Sequence, residues 1–157
     1  MEHKEIIEKM DALENEVKKL RQSINANTND KEITERIKTF EDALELYEVT
    51  DELKEIIIYD GVNKFMISVR EHAKLMIICS VLNEGWIPYW NNDKQYKWYP
   101  WFEMKSGVGF SRSNSYYERT GTSVGSRLCF KTEGLANYAG KQFLSIYKNY
   151  LSIDEKI

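Results

Sequence analysis

The stretch Gly85–Phe102, GWIPYWNNDKQYKWYPWF, marks the point at which helical sequence gives way to strand-like sequence. It holds eight large aromatic residues in eighteen positions, including all four tryptophans of the chain. These residues are Trp86, Tyr89, Trp90, Tyr96, Trp98, Tyr99, Trp101 and Phe102. Such a concentration of rings predicts either a dense small core or a platform on which a ligand stacks.

Downstream of this point, apolar residues alternate with a period of two, which is typical of β-strands. We predict strands at Tyr96–Met104, Gly107–Arg112 and Ser126–Lys131, with a polar loop at Ser113–Gly125. Pro100 cannot donate a ladder hydrogen bond, so the first strand should lie at a sheet edge or carry a bulge.

Upstream, Val62–Glu84 carries apolar residues at the period of a helix, and Gly85 stands where a C-terminal helix cap belongs. The preceding segment Lys54–Asp60 fits a strand or a helical turn equally well. Thr39 is a candidate N-cap for a short helix that ends near Val49.

The C-terminal segment predicts one more helix, capped by Thr132, with an apolar stripe between Leu135 and Tyr150. We therefore predict an α+β fold, in which an N-terminal coiled-coil helix precedes a small antiparallel sheet of about three strands packed with two main helices. The expected divisions are residues 1–25 for the coiled coil, 26–61 for a hinge with short helices, and 62–157 for the α+β domain.

The coiled coil is predicted from apolar residues spaced alternately four and three apart. The set comprises Ile6, Met10, Leu13, Val17, Leu20 and Ile24. Leucine at d positions and β-branched residues at two of the three a positions favour a parallel homodimer. The alternative is an amphipathic helix that folds back on its own domain, because three heptads are marginal alone. The polar segment Ser23–Asp30 then follows as a hinge.

Composition indicates one soluble domain with an appendage, since 42% of the 157 residues are apolar and 30% are charged. Apolar runs fall far short of the roughly 20 residues of a membrane span, and the charged N-terminus is unlike a signal peptide. We therefore expect a cytoplasmic protein without membrane association. Cys79 and Cys129 lack the spacing of a metal or redox motif, so buried free thiols are expected.

Charge divides the chain into an acidic and a basic half. Residues 1–60 contain 9 basic and 17 acidic residues, a net charge of −8, whereas residues 61–157 contain 13 and 8, a net charge of +5. The basic half is also the aromatic half, which favours an anionic partner there. The alternative is that the two halves attract each other.

Motifs for catalysis and for cofactor binding are missing from the sequence. The two histidines are His3, in the heptad region, and His72, on the helical stripe. A histidine on such a stripe is more often partly buried and hydrogen-bonded than a general base. We therefore expect no enzymatic activity, cofactor or metal, although an active site assembled from distant residues would be invisible in one sequence.

The strongest candidate for a binding surface comes from strand alternation. Tyr99 and Trp101 share one face of the first predicted strand, opposite the expected core residues Trp98 and Phe102. Cations border the two rings, which is how sheet proteins hold single-stranded nucleic acid or nucleotides. The candidate ligand-binding residues are Lys97, Tyr99, Trp101, Lys105, Arg127 and Lys131. If the helix Val62–Glu84 covers this face instead, both rings are core.

The loop SRSNSYYERTGTSVGSR is a second candidate. Its backbone N–H groups, hydroxyls and arginines suit a phosphate, with Arg112, Arg119, Gly121 and Gly125 as candidate anion-binding residues. The alternative is a mobile polar hairpin loop without a ligand.

Four segments together, NEGWIPYW, YKWYPWF, VGSRLCFKT and LANYAGKQF, resemble an uncharacterised family of small proteins from gut Bacteroidetes phages and their prophages. The resemblance extends over about Lys38–Leu151 and includes the element IKTFEDAL, whereas the heptad segment lies outside it. It implies a phage context and no catalytic residue, because the family has no assigned activity.

These observations predict a non-enzymatic phage accessory protein that binds nucleic acid or a nucleotide on its basic aromatic half. Sequestration of a nucleotide signal of host defence is one form that this binding would take. The alternative is a structural or adaptor protein, or a minor virion protein, whose aromatic segment is core and whose coiled coil mediates assembly. The exposure of Trp101 to solvent distinguishes these interpretations.

Overall fold

The computed structural model describes Lys9, Met10, Leu13, Glu16, Val17 and residues 32–105 and 109–152. The helices bounded within this part of the chain are α1 (Ile33–Arg36), α2 (Phe40–Leu46), α3 (Asp51–Ile57), α4 (Lys64–Leu82), α5 (Glu133–Gln142) and α6 (Leu144–Leu151), and the strands are β1 (Lys97–Lys105) and β2 (Gly109–Glu118). The fold is therefore mixed helix and sheet, in agreement with the predicted α+β class. The chain divides into two compact units, Met1–Arg36 and Ile37–Ile157.

The first unit contains α1 and the described part of the heptad region. Met10, Leu13 and Val17 are helical, and their side chains are exposed in the single chain. The other heptad residues, Ile6, Leu20 and Ile24, and the predicted hinge Ser23–Asp30 lie outside the described residues. The parallel coiled coil therefore stays a prediction.

In the second unit, α4 is the helix against which α2, α3 and α6 pack. It begins at the N-cap Asn63, whose side chain accepts a hydrogen bond from Met66 N–H at 3.2 Å. Its buried apolar residues are Ala73, Leu75, Ile77, Ile78, Cys79 and Leu82. Glu84 and Gly85 follow with positive φ angles of 49° and 79°, so the predicted glycine does mark the end of this helix.

Capping chemistry sets the start of the shorter helices. α2 has the predicted cap, because Asp42 N–H donates to Thr39 Oγ1 at 3.1 Å and Thr39 N–H donates to Asp42 Oδ2 at 2.8 Å. Thr50 caps α3, so the ambiguous segment before residue 60 is helical through Ile57. Because α2 and α3 pack on α4, the second unit begins at Ile37 and not near residue 62.

The C-terminal apolar stripe forms two helices instead of the predicted one. Thr132 Oγ1 accepts a hydrogen bond from Leu135 N–H at 3.2 Å and starts α5 as expected. Phe143 then leaves the helical region with φ of −109° and ψ of 30°, which separates α5 from α6. α5 packs across both strands, and the Tyr147 ring of α6 lies 4.8 Å from the Phe102 ring of β1.

β2 is longer than the sequence predicts. Residues from Ser113 onward, expected to form a polar loop, continue the strand to Glu118. Serine and asparagine dilute the apolar alternation there and resemble loop-forming sequence. This correction brings Tyr116 and Tyr117 into the sheet, opposite residues of β1.

A bulge interrupts the pairing of the two strands. Trp101 pairs with Asn114, whereas Phe102 pairs with Arg112, so Ser113 is the extra residue in β2. Because the extra residue lies in β2, the side chains of β1 keep their alternation along the whole strand.

The predicted third strand, Ser126–Lys131, is wrong: within the described residues, an isolated bridge between Phe130 and Trp98 takes its place. These two residues exchange backbone hydrogen bonds of 3.0 and 2.6 Å. Alternate residues of a strand direct their backbone groups to the same edge, so Pro100 faces this edge too but has no N–H to donate. The second ladder therefore ends after one bridge, and the chain around Ser126 forms a loop.

Candidate functional site

Lys97 is predicted to border a ligand, but it is 0% exposed. Its Nζ donates hydrogen bonds to the carbonyl oxygens of Asn92 at 3.1 Å, Gln95 at 2.8 Å and Arg119 at 2.7 Å. The Trp90 ring centroid lies 5.2 Å from the same ammonium. All three donors of the ammonium are therefore used inside the protein, and the prediction that Lys97 meets a ligand is wrong.

Tyr99 is buried as well, with 5% of its surface exposed. Its hydroxyl interacts with Ser123 and Glu118, from the loop after β2 and the end of that strand. Burial raises the pKa of the Tyr99 phenol, while the hydrogen bond with Ser123 opposes this rise and the Glu118 charge adds to it. Tyr99 therefore belongs to the interior of the protein, and the prediction that it contacts a ligand is wrong.

Trp101, in contrast to Tyr99, is 52% exposed. The face of β1 that carries these two residues is therefore buried at Tyr99 and exposed to solvent at Trp101. Tyr116 is 55% exposed, and its ring centroid lies 5.9 Å from that of Trp101. The exposed Tyr117 ring lies 6.0 Å from Tyr116 and nearly parallel to it, and the exposed Tyr96 ring packs on Tyr117 at 4.6 Å. Tyr116 lies opposite Tyr99 and Tyr117 lies opposite Trp98, so these two tyrosines belong to different faces of the strand pair, and their contact joins the Trp101–Tyr116 pair to the Tyr96–Tyr117 pair. We call Tyr96, Trp101, Tyr116 and Tyr117 the aromatic hairpin surface.

One cation accompanies Tyr96 at this surface. The guanidinium of Arg119 lies 5.2 Å from the Tyr96 ring centroid and donates a hydrogen bond to its hydroxyl at 3.2 Å. The side chain of Arg119 is exposed, while its backbone carbonyl is held by Lys97. The predicted cation Arg119 is therefore fixed beside exposed rings, although these are not the rings that the sequence selects.

The predicted phosphate cradle after β2 is occupied by the protein's own side chains. Glu118 accepts hydrogen bonds from the Ser123 N–H at 2.9 and 3.1 Å and from its hydroxyl at 3.1 Å. Thr122 Oγ1 accepts from the N–H groups of Val124 at 3.1 Å and Gly125 at 2.8 Å. These N–H groups are therefore engaged, which corrects the prediction of an anion site at Gly125.

Two of the remaining predicted residues, Lys131 and Gly121, lie in different parts of the described chain. Lys131 Nζ forms an ion pair with Glu84 Oε2 at 2.8 Å. Gly121 is exposed in the loop after β2. Lys105 and Arg112 lie in the two strands, and their side chains are outside the part of the chain that the structure describes.

Arg127 lines a separate cleft of about 720 Å³, formed by α4, the connection after α4 and the loop before α5. His72 lines the same cleft from α4, and its ring lies 4.9 Å from that of Tyr150. Burial lowers the pKa of His72, and the positive charge of Arg127 lowers it further. His72 is therefore neutral at pH 7, and Arg127 carries the positive charge of the cleft.

Asn83 ties the end of α4 to the segment before α5. Its Nδ2 donates to the Cys129 carbonyl at 2.8 Å, and its Oδ1 accepts from the Lys131 N–H at 2.9 Å. Cys79 Sγ donates to the same carbonyl at 3.1 Å. Burial raises the pKa of the Cys79 thiol, and it raises the pKa of the Cys129 thiol to about 11. Both are therefore protonated, and both are buried free thiols as predicted.

Sequence reasoning missed Tyr116, Tyr117 and Asn83. The two tyrosines were assigned to a loop, although extending the period of two through GFSRSNSYYE places them in a strand. Asn83 lies four residues after Cys79 on the apolar side of α4, where a polar residue signals a buried hydrogen-bonding role.

Neither the described side chains nor comparison with known proteins assigns a function to these surfaces. Within the described ranges, no group of three or more His, Cys, Asp or Glu side chains is arranged to hold a metal ion. None of the helices described above is long and apolar enough to cross a membrane. No family model, curated protein or solved structure matches the chain.

Proposed function

We propose that this chain is a non-enzymatic phage accessory protein that binds single-stranded nucleic acid through the aromatic hairpin surface, in the cytoplasm of the host cell. The observation that carries the proposal is the pair Trp101 and Tyr116, both more than half exposed, with ring centroids 5.9 Å apart. Clustered exposed rings are typical of recognition surfaces. The phage context rests on the sequence resemblance alone.

Base stacking fits this surface better than phosphate binding does. The ammonium of Lys97 is internal, Glu118 and Thr122 engage N–H groups of the loop after β2, and Arg119 contacts Tyr96, one of the four rings of the surface. Stacking contributes about 1–3 kcal/mol per base and tolerates any sequence. We therefore expect sequence-independent binding with a shallow salt dependence, a slope of log K against log salt of about −1, because few phosphates are neutralised.

Replacing Trp101 and Tyr116 together by alanine should weaken oligonucleotide binding by about 30-fold or more, because two stacking contacts of about 1–3 kcal/mol each are lost. Fluorescence anisotropy of labelled oligo-dT and oligo-U, at low and at physiological salt, measures this change. The fold should survive, since both rings are largely in solvent.

Phe65→Ala is the matched control, because Phe65 is an exposed ring on α4 that does not belong to the aromatic hairpin surface. It should leave the affinity for oligonucleotides unchanged. This result would separate the loss of the two stacking rings from a general effect of removing exposed aromatic surface. The proposal fails if the wild-type chain binds neither oligonucleotide at low salt, or if Phe65→Ala weakens binding as much as the double variant.

A different feature favours a structural or adaptor role as the second candidate. Among the described residues β2 pairs with β1 alone, so its outer edge has no strand partner. An extended peptide can add to such an edge, with exposed rings such as Tyr116 and Tyr117 contacting its side chains. A folded wild-type chain that ignores oligonucleotides would favour this candidate.

The proposal includes a parallel homodimer through the heptad residues, of which Met10, Leu13 and Val17 are exposed in the single chain. Leu13→Asp would place a carboxylate in the apolar seam and should convert the dimer to a monomer, measured by sedimentation equilibrium. Asn15→Asp, at the outer f position of the same heptad, should leave the dimer intact. A monomeric wild-type chain would contradict the prediction.

A further inference from the structure

The cleft lined by Arg127 has the dimensions and the surface of a small-molecule site. Its volume, about 720 Å³, lies in the range of ligand pockets, roughly 300–1,000 Å³. α4 lines it with the apolar Met76 and Ile77 and with a few polar groups, among them His72 and Ser80, and the connection after α4 adds Trp86 and Ile87. An apolar site with few polar groups is the usual form of a pocket for an organic ligand.

The charge of the cleft is positive and uncompensated. No aspartate or glutamate is among the described residues that line it. Arg127 is exposed, and it forms no ion pair with another residue that the structure describes. The charge also acts on His72, which lines the same cleft, since after burial it is the second cause that lowers the pKa of His72. The positive charge of this cleft therefore favours a ligand that carries a negatively charged group.

The backbone beside Arg127 is held in place. Trp90 Nε1 donates a hydrogen bond to Ser126 Oγ at 2.7 Å, and Gly125 adopts a positive φ of 72° with its N–H bonded to Thr122. The guanidinium therefore extends from a fixed turn at the rim of the cleft.

We propose that this cleft binds a small organic anion with a flat apolar body. The body packs between α4 and Trp86, and its carboxylate or phosphate group pairs with the guanidinium of Arg127. This site is separate from the aromatic hairpin surface, so the inference holds whether or not the chain binds nucleic acid.

Two fluorescent probes that differ by one anionic group test the proposal directly. Anilinonaphthalene sulfonate and phenylnaphthylamine share the same ring system, and the sulfonate is present in the first alone. The wild-type chain should bind the sulfonate about tenfold more tightly, because a charged hydrogen bond adds to the same apolar contact. Displacement by indole acetate and by phenyl phosphate then distinguishes a carboxylate ligand from a phosphate ligand.

Arg127→Gln should remove that tenfold preference and leave the affinity for phenylnaphthylamine unchanged. Lys141→Gln is the matched control, because Lys141 is an exposed cation on α5 that is not among the residues lining the cleft. It should leave both affinities unchanged. Equal affinity of the wild-type chain for the two probes, or equal loss in the two variants, would overturn the proposal.

The titration of His72 gives a second readout that needs no ligand. The groups that act on His72 are Arg127, through its charge, and the Tyr150 ring that packs on it. Arg127→Gln should raise the pKa of His72, because a positive charge that disfavours the imidazolium is removed. Proton NMR follows this change, and a His3→Gln background leaves one histidine signal. An unchanged pKa would place Arg127 away from the cleft and overturn the proposal.

Discussion

Lys97→Met is expected to lower the free energy of unfolding by about 3 kcal/mol, and this loss of stability should occur in the absence of any ligand. The substitution removes three charged hydrogen bonds and leaves the carbonyls of Gln95 and Arg119 without this donor, while the Asn92 carbonyl keeps a hydrogen bond from the Gln95 N–H at 3.3 Å. Relief from burying a charge opposes this loss, because methionine has no ammonium to desolvate. The unpaired carbonyls dominate, since they stay in place when their partner is removed.

Urea unfolding followed by tryptophan fluorescence measures the effect of Lys97→Met. Lys94→Met is the matched control, because Lys94 is exposed in the same connection and should change stability by less than about 0.5 kcal/mol. If Lys97→Met were as stable as the wild-type chain and had instead lost oligonucleotide binding, the internal role of this lysine would be refuted.

Asn83→Leu is expected to lower the free energy of unfolding by about 2–3 kcal/mol. Leucine fills a similar volume but offers neither a donor to the Cys129 carbonyl nor an acceptor to the Lys131 N–H. The Cys129 carbonyl keeps a weak hydrogen bond from the Cys79 thiol, so the Lys131 N–H suffers the larger loss. The segment before α5 should therefore loosen first.

Hydrogen exchange at the Lys131 amide, together with urea unfolding, measures this loosening. Asn149→Leu is the matched control, because Asn149 is exposed on α6 and leucine is a good helix former. It should leave both measurements nearly unchanged. Unaltered exchange at Lys131 in Asn83→Leu would show that Asn83 does not hold this segment.

The helical part of the fold was predictable because its signals are contiguous. Thr39 and Thr132 are identified as caps from their own neighbours, and the stripe of α4 lies within one segment. The sheet was predicted less well, because strand pairing depends on residues far apart in the chain. Pro100 limits the third strand, but this becomes apparent only when Trp98 is known to bond with Phe130.

The binding surface was predicted in part. Alternation correctly placed Tyr99 and Trp101 on one face of β1, yet one is buried and the other exposed. Tyr99 interacts with Ser123, more than twenty residues later, and no local pattern connects these two residues. Alternation places Lys97 on the same face as Tyr99 and Trp101, but the carbonyls that hold its ammonium inside the protein come from two separate segments, which no local pattern connects.

The contacts of Lys97 also bear on how much the loops lose in conformational entropy when a ligand binds. The ammonium holds the Arg119 carbonyl and lies beside Trp90, which donates to Ser126 next to Arg127. Fixing a free backbone costs about 1–2 kcal/mol per residue, and here both arginine-bearing loops are fixed when the protein folds. If either proposed surface binds its ligand, binding therefore begins from ordered loops, and Lys97 contributes to that order directly at Arg119 and through Trp90 at Ser126.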